Sequence, residues 1–144
     1  MTNKKIILFA ILAVAGIAIA YFLLPKNNEN KIQTASPQQT TENKEAGVSV
    51  EVTPIDFAPA EPIKFQIAFT THQGDLNFGL TKQAILYDGQ NRQYLPISWD
   101  GGSGGHHLEG ILIFPALTEE TKNIKLIIKG VYDVPERIFE WNLN

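Results

Sequence analysis

The stretch that decides the fold class is residues 63–70, Ile-Lys-Phe-Gln-Ile-Ala-Phe-Thr, in a chain of 144 residues. Large apolar side chains alternate here with smaller or polar ones, which is the period of two of a β-strand with one buried face. Residues 48–53, Val-Ser-Val-Glu-Val-Thr, show the same period upstream. The prolines in residues 54–62, between the two stretches, exclude regular strand pairing there. The two stretches are therefore predicted to be the first two strands of a β-sheet.

Further strand signals follow downstream and are separated by turn residues. They cover residues 82–87, 94–97, 108–114, 124–131 and 137–143. In the last of these, Phe139, Trp141 and Leu143 share one face, so Trp141 is expected in the core. Residues 118–122 are the only stretch that could form a helical turn.

About seven short strands at spacings near ten residues predict an all-β fold, an immunoglobulin-like antiparallel β-sandwich. A cupredoxin-like or up-and-down barrel would give a similar pattern, so the sequence leaves the topology open. The predicted domain covers residues 48–144, a common size for one domain with its own core.

An uncharged apolar run covers residues 6–24 and follows Lys4 and Lys5. As a helix it would be roughly 28 Å long, which matches the hydrocarbon core of a bilayer. We expect a transmembrane anchor over residues 1–25, with its basic end in the cytoplasm and the rest of this single-pass membrane protein outside. A cleavable signal peptide is the alternative, because Ala18-Ile19-Ala20 has the small-x-small form of a cleavage site.

Residues 26–47 are rich in Asn, Gln, Thr, Lys and Glu and are expected to form a flexible linker. In residues 48–144 acidic side chains outnumber basic ones, which argues against nucleic acid or an anionic lipid surface as the main partner. The chain has no cysteine, so disulfides, a lipid-modified cysteine and thiolate metal sites are excluded.

The stretch 99–107, Trp-Asp-Gly-Gly-Ser-Gly-Gly-His-His, is followed by Gly110 and, near the end of the chain, by residues 134–141, Val-Pro-Glu-Arg-Ile-Phe-Glu-Trp. This combination resembles a module of small, uncharacterised, membrane-anchored prokaryotic proteins. The resemblance implies export and a β-rich extracytoplasmic domain. It implies no activity and carries over no catalytic residue.

The histidines fall at two places: His72 ends the second predicted strand, and His106 and His107 precede the fifth. These two strands are antiparallel neighbours in an immunoglobulin-like sandwich, so the three imidazoles are expected at one end of the sheet. With a nearby carboxylate they could bind zinc or copper(II). The carboxylates that could complete such a site are Asp75, Asp100 and Glu109. The alternative is a mobile glycine loop with solvated histidines at its foot.

Enzyme signatures are missing from the sequence, because no serine has a nucleophile-elbow context and the carboxylates are scattered. Trp99 borders the glycine loop and is expected to be the more exposed tryptophan, so Trp99 and Asp100 form a candidate ligand-binding surface. The leading hypothesis is a non-enzymatic binding module that holds another envelope protein or polymer near the membrane. A metal-binding protein that uses His72, His106 and His107 is the alternative.

Overall fold

A computed structural model of the protein describes residues 39–58 and 60–143. The predicted anchor and the first part of the predicted linker lie outside these residues. Within the described part of the chain, no helix has the length and apolarity needed to span a membrane.

The described residues form nine strands and one short helix. They are β1 (Thr41–Glu45), β2 (Val48–Asp56), β3 (Ile63–Thr71), α1 (Leu80–Gln83), β4 (Ala84–Asp88), β5 (Gln93–Tyr94), β6 (Ser98–Trp99), β7 (His107–Phe114), β8 (Asn123–Val131) and β9 (Val134–Asn142). Sheet A has the strand order β1-β2-β3-β7-β6, and sheet B has the order β5-β4-β8-β9. All pairings are antiparallel, so the prediction of an all-β, two-sheet architecture is confirmed.

The stretch 63–70 becomes the central strand of sheet A, as its period of two requires. β3 buries Ile63, Phe65, Ile67 and Phe69 against sheet B. Trp141 on β9 is buried as predicted, with its ring centroid 5.4 Å from that of Phe65. The facing apolar rows of the two sheets therefore form one core.

Strand β1 corrects the expectation that the linker extends to residue 47. Residues 41–45, Thr-Glu-Asn-Lys-Glu, pair along their whole length with β2. Their side chains are polar and mostly exposed, so the sequence shows no alternation of apolar residues that would predict a strand here. β1 is held by backbone pairing and by the side chain of Arg137 on β9.

Three local predictions also need correction. Residues 80–83 form α1, where a strand was expected from residue 82, because Leu80 turns into the core and is fully buried. Residues 118–122 contain no helical turn. The predicted strand 94–97 is divided: β5 ends at Tyr94 in sheet B and β6 begins at Ser98 in sheet A, so the residues between them cross from one sheet to the other.

Four connections meet at one end of the sandwich, which we call the loop end. They are residues 46–47, 72–79, 100–106 and 132–133. The hydroxyl of Thr71 shares its proton between the carbonyls of Gly47 (3.0 Å) and Gln73 (2.9 Å), and the hydroxyl of Tyr132 donates to the carbonyl of Gln73 (2.5 Å). Hydrogen bonds between connections therefore tie the loop end together.

The opposite end, which we call the entry end, contains both limits of the described chain. Trp141 Nε1 donates to the carbonyl of Gln39 (3.0 Å), and the backbone N–H of Leu143 donates to Lys122 (2.7 Å). Residues 57–62, 89–92 and 115–122 connect strands at this end. The chain that precedes residue 39 therefore joins the domain on the side away from the loop end.

Candidate functional site

The glycine loop, residues 101–105, is bound to the connection after β3. Leu76 donates its N–H to the carbonyl of Gly105 (2.9 Å), and Gly104 donates to the carbonyl of Leu76 (2.8 Å). The Asp75 carboxylate also accepts the N–H of Gly105. Gly104 and Gly105 have positive φ angles of 93° and 82°, a conformation that glycine adopts without strain. Backbone contacts thus fix the loop, which the sequence had allowed to be a mobile hairpin.

Trp99 supports the glycine loop from below. Its ring is half-buried and packs edge-on against Phe69 with centroids 6.4 Å apart, while its Nε1 donates to the carbonyl of Gly102 (2.8 Å). The ring lies so close to Gly101 that a side chain there would overlap it. Trp99 is more exposed than Trp141, as predicted, but its polar atom and one face are occupied within the protein.

Asp100 holds the loop against β7. Its Oδ1 accepts the backbone N–H of Ile111 at 2.5 Å. Gly110 lies against the backbone of Gly101, and a Cβ at position 110 would overlap it. The contacts within the protein therefore explain why Trp-Asp-Gly and Gly110 occur together in the sequence. Trp99 and Asp100, the two residues predicted to bind a ligand, both hold the glycine loop in its conformation.

The three histidines lie at the loop end and are exposed. The register places Thr70 opposite His107, and the N–H of Thr71 donates to the carbonyl of His106 (2.9 Å). The expectation that the second predicted strand pairs with the strand after the glycine loop is thus confirmed. The Thr70 hydroxyl lies 3.3 Å from Nδ1 of His107.

The carboxylates that could complete a metal site have other partners. Asp75 and Asp100 accept backbone N–H groups of the loop and of β7, and Glu109 accepts a hydrogen bond from Nε2 of Gln66 (2.6 Å). Among residues 39–58 and 60–143, no group of three or more His, Cys, Asp or Glu side chains is placed to hold a metal ion.

Arg137 lies beneath the loop end and was not singled out from the sequence. It is 0% exposed and points into the sandwich from β9, on the face that also carries Phe139 and Trp141. The alternation of apolar and polar residues along β9 is the sequence signal that could have predicted the burial of Arg137.

The guanidinium of Arg137 fixes β1 and the start of β2. It donates to Oδ1 of Asn43, to the carbonyl of Glu45 (2.9 Å) and, at longer range, to the carbonyl of Val48 (3.4 Å). Its Nε has no hydrogen-bond partner among the residues that the structure describes. Burial lowers the pKa of Arg137, and the charge of Glu45 offsets part of that shift. The buried cation therefore joins the edge of one sheet to the edge of the other.

No protein-family model, no curated protein and no solved structure matches the chain. The resemblance of residues 99–107 and 134–141 to membrane-anchored prokaryotic proteins stays a prediction.

Proposed function

We propose that the chain is a membrane-tethered extracytoplasmic module that binds another envelope protein or polymer without chemical catalysis, and that the loop end is its contact surface. The observation that supports the proposal is the hydrogen bonding between the connections at the loop end. Four connections are cross-bonded into one fixed surface, while the side chains of His72, Ser103 and His106 are exposed on it. A preformed surface loses less conformational entropy on binding than mobile loops do.

Strand order supports an immunoglobulin-like topology for the sandwich. The order β2-β3-β7-β6 corresponds to strands A-B-E-D of that fold, and β4-β8-β9 corresponds to C-F-G. The connection 72–79 then lies in the position of the B–C loop, and residues 132–133 lie in the position of the F–G loop. Loops in these positions bind antigen in antibody variable domains, which favours the loop end as the contact surface.

A catalytic function is disfavoured, because the carboxylate next to the possible base does not orient that base. The hydroxyl of Thr70 and Nδ1 of His107 are 3.3 Å apart, which is the arrangement of a nucleophile and a base. The neighbouring carboxylate, Glu109, is bonded to Gln66 and does not orient the imidazole. The pair is also exposed, where water weakens any electrostatic stabilisation.

Metal binding at His72, His106 and His107 is the second candidate. It is favoured by the hydrogen bond from Thr71 to His106, which brings the end of β3 beside the start of β7. It ranks second because the three imidazoles do not form a group placed to hold a metal ion among the described residues, and the carboxylates nearby are engaged by backbone and amide groups. Calorimetric titration with zinc and copper(II) tests it: saturable binding that His72→Ala weakens would support the site, and the absence of saturable binding would reject it.

The two ends of the sandwich are well separated. β3 has nine residues and so spans about 30 Å between them. The proposed contact surface is therefore distant from Gln39, where the described chain begins.

Site-specific photo-crosslinking in intact cells tests the proposed contact surface. A benzoylphenylalanine replaces His106 at the loop end in one variant and Gln90 at the entry end in a control, both exposed positions. We expect discrete adducts from position 106 that position 90 does not give. Absence of adducts from position 106, or the same adducts from both positions, would contradict the proposal.

A further inference from the structure

Strand β1 is joined to β2 by a two-residue turn with a strained backbone. Glu45 pairs with Val48, so Ala46 and Gly47 alone connect the strands, with φ angles of 49° and 75°. Positive φ at both central residues is the signature of a type I′ turn, in which Asn-Gly is preferred. Glycine adopts this conformation freely, but the Cβ of an alanine disfavours it. Opening the turn therefore relieves strain at Ala46.

A second hairpin shows why β1 opens more easily than β9. Tyr132 and Asp133 join β8 to β9 and also have positive φ angles, 53° and 59°. β9, however, buries Val134, Phe139 and Trp141 in the core, so its release would expose a large apolar area. No side chain of β1 is fully buried. Release of β1 therefore exposes little apolar surface of its own.

The contacts that hold β1 come from other strands of the domain. The guanidinium of Arg137 donates to Oδ1 of Asn43 and to the carbonyl of Glu45, and the hydroxyl of Ser49 donates to Oε1 of Glu42 (2.7 Å). The backbone of β2 pairs with every residue of β1. The β1 strand of a second copy would meet the same groups, so it would restore the contacts that opening breaks.

A hydrogen bond from Thr71 holds the turn to the neighbouring connection. The hydroxyl shares its proton between the carbonyls of Gly47 (3.0 Å) and Gln73 (2.9 Å). When Gly47 moves away, the hydroxyl keeps Gln73 as its acceptor. Opening the turn therefore leaves the buried hydroxyl of Thr71 with a partner.

We propose that two copies of the chain exchange β1 and form a dimer when the turn at residues 46–47 opens. Residues 41–56 then form one continuous strand, and the β1–β2 register, continued through the hinge, places Ala46 opposite Gly47 of the second copy. Two strained turns are replaced by extended backbone. Short hinges under strain favour such an exchange of identical elements.

The strand order leaves room for the second copy. β2 pairs with β1 on one side and with β3 on the other. The remaining strands of the two copies therefore lie on opposite sides of the joined strands and do not collide. Neither copy covers the loop end of the other, so the exchanged dimer would present two of these surfaces.

Disulfide trapping tests the exchange, because the chain has no cysteine of its own. Lys44 and Ser49 are directly opposite each other in the β1–β2 register. The Cα atoms of opposed residues are about 4.5–5.5 Å apart, a distance that a disulfide bridges. Full-length Lys44→Cys and Ser49→Cys proteins are mixed in equal amounts, warmed in a glutathione redox buffer and analysed by peptide mass spectrometry. A chain with both substitutions is the control for geometry and should form an internal disulfide.

Exchange brings position 44 of one copy opposite position 49 of the other, whereas random collision also joins like positions. We expect the mixed disulfide to exceed the two homodisulfides together by about fivefold or more. Ala46→Asn in both proteins should lower the yield of the mixed disulfide about tenfold, because asparagine accepts the conformation of the turn. Ala46→Val should raise that yield, because a β-branched residue disfavours positive φ more strongly than alanine does.

Three outcomes would overturn the exchange. A mixed disulfide no more abundant than the homodisulfides together would show collision without strand pairing. Equal yields from Ala46→Asn and the parent would show that strain at the turn does not drive opening. Absence of the internal disulfide in the doubly substituted chain would remove the register on which the exchange depends. Each of these leaves the proposed function standing, because the crosslinks expected from position 106 do not require a dimer.

Discussion

Arg137 should control whether β1 stays attached to the domain. β1 has five mostly exposed residues, so apolar burial contributes little to its docking. The two shortest donations from Arg137, to Asn43 and to the carbonyl of Glu45, link β1 to β9. Replacement by Met removes both donations and fills most of the same volume without a charge.

The size of the effect follows from those two bonds. Hydrogen bonds to a charged group contribute about 1.5–3 kcal/mol each, net of the bonds that the same groups make with water in the open state. The two bonds share one guanidinium and their energies do not add in full, so we take about 2 kcal/mol as the loss. That loss raises the open population of β1 about 30-fold. Because an apolar replacement also removes the cost of burying the cation, the melting temperature of the whole domain should change little.

Native-state trypsin cleavage measures the opening, since Lys44 lies within β1, next to its last residue. Appearance of the fragment that begins at Glu45 should accelerate about 30-fold in Arg137→Met. Arg92→Met is the matched control, because Arg92 pairs with Asp88 and Glu119 at the entry end. An unchanged cleavage rate in Arg137→Met, or an equal acceleration in Arg92→Met, would refute this account of β1.

Three further predictions concern the core, the glycine loop and Asp88. Trp141→Ala should lower stability by about 3–5 kcal/mol in thermal or denaturant unfolding, whereas truncation of the exposed Ile138 should have little effect. Gly110→Ala should cost about 1–3 kcal/mol because its Cβ would overlap Gly101, while Gly79→Ala, with open space around it, should stay near the parent in the same unfolding assay. Burial raises the pKa of Asp88, but hydrogen bonds from Arg92, Tyr94 and Gln90 outweigh burial and hold that pKa below its ordinary value of 3.8. The ionised carboxylate therefore adds stability above that value and loses it as pH falls further, so Asp88→Asn should flatten the decline of melting temperature below about pH 4.

Sequence reasoning located the elements whose pattern is local. The alternation of residues 63–70 identified β3 and its buried face, and the alternation of residues 137–143 placed Trp141 in the core. Each needed only the period of two and the preference of large apolar side chains for the interior.

The elements that sequence reasoning missed depend on distant contacts. β1 is polar, and its place is set by pairing with β2 and by Arg137, 92 positions away from Glu45. Residues 94–97 have the apolar content of a strand, yet Leu95 and Ile97 are exposed on a crossover. The glycine loop was recognised from composition, but its anchoring by Asp75, 30 positions from Gly105, could not be read from spacing.

The proposed function requires the loop end to be a fixed, preformed surface. Residue-resolved amide hydrogen exchange on the full-length protein tests it most directly, because the N–H groups of Thr71, Leu76 and Gly104 are bonded between connections. We expect these three amides to exchange at least about 100-fold more slowly than those of an unstructured chain. Exchange of Leu76 and Gly104 at the rate of an unstructured chain would show that the loops move independently, and would contradict the claim.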